Sequence, residues 1–421
     1  MQKFNLFLIE NEKEKFISIV LKIITLLSKF ILIFILAKYL KPYEIGIFGL
    51  VLATVGIGIY FIGFEFYTFS LRNFIHKSKK YWGQYLKTSF LLYVLLYILA
   101  IPIIYLVFLF EILPIKFFLV ITLIIIIDHY LTELSRILIF SNNQLKANIL
   151  LFFKNGLWCL ITIINFIIFD QFRTIDTVFW TWFFCLVVSL AYGQYELSLY
   201  KIESLKKKIN LVWLKKGIKL IIPIFLSTLI IKFFFTIDKY LINHYSDTNF
   251  LAAYVLFFSI NSSLLTFIDT AIFQFSYPKL IFFFNKKRFI NFKREFQSMF
   301  FNTIIAMLIL TLIWLASINF IISFFSENVY KENILIYYFL IAIFNVYILS
   351  MVPHYYLFSC RQDKIIFKSH FFSMLIFISF ILYGIKNFQE LYILEALFLT
   401  FCFTLIYKFY HVVKFKLGDV N

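Results

Sequence analysis

Twelve apolar runs, each about as long as a helix that crosses a bilayer, constrain this chain more than any other feature. They cover residues 16–40, 44–68, 86–110, 116–140, 147–169, 177–199, 218–242, 250–276, 298–325, 333–359, 365–385 and 391–412. A helix needs about 20 mostly apolar residues to cross the hydrocarbon core. Because backbone polar groups in lipid must find partners within the chain, runs of this length predict helices. We therefore predict an all-α polytopic membrane protein with about twelve transmembrane helices.

The composition indicates a chain that is largely surrounded by lipid. Hydrophobic residues make up 62% of the sequence and charged residues 15%, and the mean hydropathy is +0.90. A soluble domain carries about 25% charged residues. The apolar surface is more than a water-exposed protein could cover, so the phospholipid bilayer is the first expected partner.

The net charge of +18 raises the question of a nucleic-acid partner. The basic residues lie mainly in short connections between the apolar runs, and no basic domain stands outside these runs. We therefore expect no nucleic-acid partner. The four cysteines never occur at CxxC spacing, which argues against a metal site or a disulfide framework.

The basic connections predict the orientation of the chain in the membrane. Lys and Arg concentrate in every second connection, and the positive-inside rule then places both termini in the cytoplasm. The two longest inner connections, 200–217 and 277–297, mix basic with apolar residues. Each could lie along the anionic leaflet or serve as a simple anchoring loop.

The first of these connections divides the sequence into halves of six spans each. We predict an N-terminal bundle over 1–205 and a C-terminal bundle over 206–421. Six spans per half give both halves the same orientation, so a pseudo-two-fold axis would run along the membrane normal.

Lysines inside the spans are the most informative polar residues. Lys15, Lys22 and Lys29 are seven residues apart, which places them on one face of the first helix. Lys232 and Lys239 repeat this spacing in the seventh span, and Lys154 lies one turn into the fifth. An ionisable group near the bilayer centre costs about 2.5–3.5 kcal/mol on insertion scales. These lysines therefore either meet an anionic substrate, pair with a buried carboxylate, or extend to the interface.

The fourth span carries a polar stripe. His129, Glu133 and Arg136 share a face at i, i+4 and i+7, and Asp128 lies on the neighbouring face. The stripe cannot face lipid. It either lines a polar path, with Arg136 for an anion and Asp128 or Glu133 for coupling to a proton or cation, or forms an internal Glu133–Arg136 pair.

Other features are weaker. Glu65 and Asp269 lie at similar distances along corresponding spans of the two halves, His354 follows Pro353, and Asp238 precedes Lys239. The glycine-rich second span, Pro223 and Pro353 permit bending or static kinks. We find no nucleophile elbow, HExxH, DxD or P-loop pattern, so the sequence does not predict an enzyme.

Several degenerate motifs resemble one family. Residues 37–48, AKYLKPYEIGIF, are similar to a first span that ends in "A..L.P.e.G.f", which is typical of polysaccharide flippases. Further matching residues are Gly63, Phe64, Glu65, Arg72, Arg136, Pro223, Asp238, Ala253 and Tyr254. In span order the chain resembles the Wzx-type O-antigen and exopolysaccharide repeat-unit flippases of the MOP superfamily, which have a MATE-like fold. The lipid II flippase is a relative that usually has fourteen spans.

The resemblance implies two six-helix bundles around a cavity that opens alternately to each side of a bacterial inner membrane. The cargo would be a polyprenyl-diphosphate-linked oligosaccharide, and a polysaccharide polymerase would be a further partner. No cofactor is expected, and the coupling ion would be Na⁺ or H⁺. From charge and depth, the hypothetical diphosphate ligands are Lys22, Lys29, Arg136, Lys154 and Lys232. The hypothetical residues for cavity lining or ion coupling are Glu65, Asp128, His129, Glu133, Asp238 and Asp269.

Rival interpretations come from different classes of protein. A cation-coupled multidrug exporter of the same fold would favour acidic residues in its cavity, whereas the deep charges here are mostly basic. A membrane O-antigen polymerase or ligase usually has a long outer loop, and no predicted outer connection here exceeds about ten residues. A scaffold without transport would leave the buried charges unexplained.

Overall fold

A computed structural model describes residues 12–75, 82–141, 143–199, 207–325, 328–384 and 391–415, with only the backbone of 72–75. All regular secondary structure in these ranges is helical, and twelve helices are long and apolar enough to cross a membrane. The prediction of an all-α polytopic fold is therefore confirmed. The predicted boundary at 205/206 and the side chain of Arg72 lie outside the described residues.

The described chain forms two compact units, Met1–Phe225 and Leu226–Asn421. In the first unit, α1 packs on α6 and α7, α5 packs on α8, and α2 packs on α4 and α5. Its helices are α1 Glu12–Tyr39, α2 Pro42–Gly63, α3 Phe66–Ile75, α4 Trp82–Leu109, α5 Phe118–Phe140, α6 Gln144–Phe152, α7 Trp158–Ile168 and α8 Ile175–Ser198. A π-helical segment, Phe153–Leu157, joins α6 to α7 within one span.

The second unit begins within α9, Leu211–Tyr245, and is centred on α14 and α16. A second π-helical segment, Asp269–Phe273, joins α10 to α11. The remaining helices are α10 Thr248–Ile268, α11 Gln274–Asn285, α12 Phe289–Ser323, α13 Val329–Glu332, α14 Ile334–Ser359, α15 Asp363–Gly384 and α16 Tyr392–Lys414. Each unit thus carries one span that is widened by a π segment.

The prediction of a long inner connection over 277–297 is wrong. Helices α11 and α12 extend through this stretch and leave a short turn, in which Lys287 has φ 55°. The apolar residues of the stretch are buried against one another and against α14. The ring centroids of Phe284 and Phe292 lie 6.0 Å apart, and those of Phe292 and Tyr356 lie 5.1 Å apart. Because these side chains make a core of their own, the stretch is helical except for the turn at Lys286, Lys287 and Arg288.

The second span is broken near its end. Phe64 and Glu65 have φ values of 49° and 52°, a left-handed conformation that costs a non-glycine residue about 1–2 kcal/mol. The break separates α2 from α3 directly after Gly63. The Phe64 ring packs at 4.4 Å from Phe225, and the Thr68 hydroxyl donates to the Glu65 carbonyl at 2.8 Å. These contacts hold the bend that the glycine-rich span permits.

Within the first unit, an aromatic cluster packs the start of α9 against α3 and α4. Trp213 lies 5.5 Å from Phe66, 5.1 Å from Phe69 and 4.7 Å from Tyr85, measured between ring centroids. Gly217 follows one turn later, and a Cβ atom there would lie 2.6 Å from both phenylalanine rings. The close approach of α9 to α3 therefore requires a residue without a side chain.

We expect Gly217→Ala to destabilise the protein by about 1–3 kcal/mol, because the added methyl group overpacks the aromatic cluster. Gly56→Ala is the matched control, since a Cβ atom at Gly56 meets nothing within 4 Å. The control should be neutral or slightly stabilising, because alanine favours helix over glycine by about 1 kcal/mol. Thermal unfolding in detergent measures both. Equal melting temperatures for the two variants would contradict the proposed packing.

Candidate functional site

A buried ion pair lies at the centre of the polar residues in the first unit. Lys154 Nζ contacts Asp128 Oδ1 at 2.8 Å, and each side chain is 7% exposed. The same ammonium group donates to Thr132 Oγ1 at 2.5 Å. Lys154 lies in the π segment, whose wider turn carries it next to α5. The structure thus brings together two candidate residues that are 26 positions apart in the sequence.

The rest of the α5 stripe forms hydrogen bonds to aromatic side chains of neighbouring helices. Glu133 pairs with Arg136 and accepts from the Tyr93 hydroxyl at 2.8 Å. The Arg136 guanidinium lies over the ring of Tyr67, 3.5 Å from its centroid. The stripe therefore contains the internal pair that its spacing allows, and Arg136 retains a partly exposed face.

His129 lies one turn before Glu133 and is 1% exposed. Its Nδ1 shares a 2.7 Å hydrogen bond with the Tyr97 hydroxyl, while its Nε2 has no hydrogen-bond partner in the described part of the chain. A Cβ atom at Gly63 would lie 3.4 Å from this nitrogen. The imidazole thus touches the span-two break.

The lysines of α1 differ from Lys154 because they are exposed. Lys22 and Lys29 both lie on the surface of the first unit, and Lys29 Nζ donates to Asn155 Oδ1 at 3.2 Å. Neither lysine forms an ion pair with any described residue. The exposed apolar residues Ile23 and Leu27 lie on a different side of the helix. Since ionised lysines cannot rest against lipid tails, this face of α1 needs contact with water or protein.

The second unit holds a buried triad around Asp238. This carboxylate is fully buried, contacts Lys239 Nζ at 3.2 Å and accepts from the Tyr254 hydroxyl at 2.5 Å. The Lys239 ammonium also lies over the Phe258 ring, 3.6 Å from its centroid. These contacts explain why the chain carries Asp-Lys near the end of one span and Tyr at the start of the next.

The remaining predicted residues lie apart from these clusters. Asp269 begins the second π segment and accepts hydrogen bonds from Tyr355 and Gln274, both at 3.2 Å. Lys232 is half-buried within α9, and Glu65 is half-buried at the span-two break. The roles of the eleven candidate residues in binding or coupling remain predictions.

Sequence reasoning missed a polar seam inside the second unit. Thr400, Thr404 and Lys408 are four residues apart on α16, and each is at most 1% exposed. Thr404 faces α15, where Ser373 shares a 2.6 Å hydrogen bond with it, and His370 lies one turn before Ser373. The spacing of four along an otherwise apolar span was the available signal.

The described residues offer no ready metal site. Within the described ranges, no three His, Cys, Asp or Glu side chains come together in a way that could hold a metal ion. The four cysteines are free thiols. What the first unit offers chemically is a set of exposed cations on α1 beside a stripe of paired charges on α5.

The structure defines a helical membrane protein that has twelve candidate spans and paired charges inside them. Comparison with models of known families and with curated protein sequences found no match. Solved structures do match, and the chain shares their fold.

Three of these structures cover nearly the whole chain. "Lipid II flippase MurJ, inward closed conformation" has a TM-score of 0.72 at 15% identity, and the match covers 96% of this chain and 88% of that one. A MATE protein in the straight conformation has a TM-score of 0.61 at 12% identity, covering 96% and 94%. An outward-facing multidrug resistance MATE family transporter of the MOP superfamily has 0.56 at 12%, covering 96% and 94%. The all-α, MATE-like fold predicted from the sequence is therefore confirmed.

We expect Lys154→Met to destabilise the protein by about 3 kcal/mol, because it leaves the Asp128 carboxylate buried without its cation. The double variant Asp128→Asn with Lys154→Met should recover much of this loss. Lys116→Met is the matched control, since the Lys116–Asp176 pair has side chains 58% and 46% exposed and contributes about 0–1 kcal/mol. Thermal unfolding in detergent checks all three variants. A Lys154→Met protein as stable as the control would contradict the role of the pair.

Proposed function

We propose that this protein is a flippase that carries a polyprenyl-diphosphate-linked oligosaccharide repeat unit from the cytoplasmic to the outer leaflet by alternating access. The protein would be a transporter in a bacterial inner membrane, with both termini in the cytoplasm. The shared fold with a structure named as a lipid II flippase supports a lipid-linked cargo.

The exposed position of Lys29 is the observation that carries the proposal. Lys29 lies well inside the span Glu12–Tyr39, and its only hydrogen bond among the described residues is to a neutral amide, Asn155. A cation at this depth needs water or an anion beside it. A diphosphate that enters along α1 would supply the negative charge, and Lys22 lies two turns away on the same face. The two lysines would then contact the cargo in succession.

The pairing of the carboxylates favours an anionic cargo over a cationic one. Asp128 is paired with Lys154, and Glu133 is paired with Arg136. The cations on the exposed face of α1 have no such partners in the described chain. The alternative function is that of a cation-coupled multidrug exporter, which the match to a multidrug resistance MATE family transporter favours. Such an exporter would need an accessible carboxylate for its cationic cargo. A polymerase is the third possibility and is separated from the others by the experiment below.

Coupling to Na⁺ or H⁺ belongs, in this proposal, to the α5 stripe. Protonation of Asp128 would release Lys154, and the half-satisfied His129 lies one residue further along at the span-two break. The stripe therefore connects the Asp128 carboxylate, which would accept the proton, to the helix break at Phe64 and Glu65. Glu65, Asp238 and Asp269 are secondary candidates, and no cofactor is required.

The decisive experiment uses cells that lack this protein. Lipid-linked sugars are extracted, and the leaflet that holds them is determined with a membrane-impermeant probe. We expect single repeat units to accumulate on the polyprenyl carrier at the cytoplasmic side. Repeat units that reach the outer face without being polymerised would identify a polymerase instead. Unchanged surface glycan with increased drug sensitivity would identify an exporter.

Lys29→Gln tests the proposed ligand directly. We expect it to slow flipping by about tenfold or more, because a charge pair near 4 Å at an effective dielectric of about 20 contributes about 4 kcal/mol. Lys116→Gln is the control: it removes an exposed lysine from the short turn Ile115–Phe117 at the start of the fourth span. Both variants should reach the membrane in wild-type amounts. Full transport by Lys29→Gln would remove this lysine from the substrate path.

A further inference from the structure

Two turns at one end of the second unit are tied together by a hydrogen bond. The first turn joins α11 to α12, and the second joins α14 to α15. Arg361, in the second turn, donates from Nη2 to Asn285 Oδ1 at the end of α11, over 3.0 Å. Phe292 of α12 and Phe415, directly after α16, both pack on Tyr356 of α14, with ring centroids 5.1 and 6.3 Å apart. These contacts hold the two turns and the end of α16 together at one surface.

Each turn places a basic residue in a left-handed backbone conformation. Lys287 has φ 55° and Arg361 has φ 58°. Glycine is the usual residue at such a position after a helix, because it alone adopts this conformation without steric cost. Glu111, with φ 57°, follows α4 in a turn that is closed by the same pattern of backbone hydrogen bonds. The turn geometry therefore does not select for a cation, and the positive charge of Lys287 and Arg361 has a separate cause.

Positive charge dominates the surface around these turns. We define the basic surface as residues 285–294, 361–368 and 411–415, which contain nine Lys or Arg residues and one acidic residue, Asp363. All nine basic side chains are exposed. None of them forms an ion pair with any residue that the structure describes, whereas Lys279, just outside the surface, pairs with Glu295 at 3.6 Å. The described chain therefore leaves the charge of the basic surface to be balanced by its surroundings.

Exposed apolar side chains lie among these cations. Ile290 is 70% exposed between Arg288 and Lys293, and Val413 is 83% exposed beside Lys414. A soluble anion would leave these side chains in water, whereas a phospholipid offers a phosphate group and an acyl chain together. In the orientation that the sequence predicts, this end of the unit lies at the cytoplasmic leaflet, which carries anionic lipids. The mixture of cations and apolar side chains therefore favours a lipid over a soluble ligand.

We propose that the basic surface binds the phosphate headgroups of anionic phospholipids, with the joined turns at Lys287 and Arg361 as its centre. The ammonium and guanidinium groups would donate charge-assisted hydrogen bonds to phosphate oxygens. Asn285 holds the guanidinium group from one side and leaves its other N–H groups available for a headgroup. The surface belongs to the second unit and does not depend on the cargo proposed for the α1 lysines.

Phosphatidylglycerol is the probe for this surface. Thermal unfolding of the purified full-length protein is followed in mixed micelles in which phosphatidylglycerol replaces phosphatidylcholine. A ligand that binds only the folded protein raises the melting temperature in a saturable way. We expect such a rise for the wild type. The absence of a rise would overturn the proposal. A saturable rise of the same size with inorganic phosphate would also overturn it, because the ligand would then be a soluble anion.

Lys287→Gly and Arg361→Gly test the two turns. Glycine removes the charge and also relieves the left-handed backbone, so both variants should fold and melt close to the wild-type temperature in phosphatidylcholine alone. Each should raise the phosphatidylglycerol fraction that gives half of the rise by about fivefold, which is the effect of one cation near an anionic surface. The double variant should lose most of the response.

Glu111→Gly is the matched control for these variants. It relieves the same backbone conformation in the first unit without removing a cation, so the response to phosphatidylglycerol should stay unchanged. A wild-type response in the double variant would overturn the proposal. So would an equal shift in Glu111→Gly, because the effect would then come from the turn conformation and not from the charge.

Discussion

The cost of placing charge in a medium without water governs the interior of this protein. The Asp128–Lys154 contact offsets that cost for two ions at once, and the Thr132 hydroxyl accepts a further hydrogen bond from the ammonium group. Because the pair joins α5 to the π segment of the fifth span, it also sets how these two spans pack. The Asp238–Lys239–Tyr254 triad does the same for α9 and α10. Paired charges therefore act as fixed points of both units.

Charged residues that lack an ion-pair partner indicate where the protein contacts water or a ligand. The α1 lysines are exposed at a depth where lipid would not tolerate them, which is why they support a water-filled path and an anionic cargo. Lys408, by contrast, is 1% exposed and lies outside any path that a lipid-linked molecule could use.

Strain and irregular geometry occur beside the polar groups. Phe64 and Glu65 adopt left-handed backbone conformations next to His129, and π segments carry Lys154 and Asp269. Left-handed residues and π-helical turns are often found at functional sites because surrounding contacts must stabilise them. Here those contacts are aromatic: Phe225 stacks on Phe64, and Tyr355 bonds to Asp269. Aromatic packing thus brings irregular backbone segments and buried polar side chains together.

The sequence by itself determined the class of fold, because a bilayer demands long apolar helices whatever their packing. It also determined which ionisable residues lie within spans, since span length and hydropathy locate them. Only the tertiary structure decided which of these charges are paired: Asp128 meets Lys154 from another helix, while Lys29 meets only an amide. It likewise decided the break at Phe64, the helices through 277–297 and the stacking of His354 on His370. These features depend on contacts between distant residues, and neither hydropathy nor spacing along one helix contains that information.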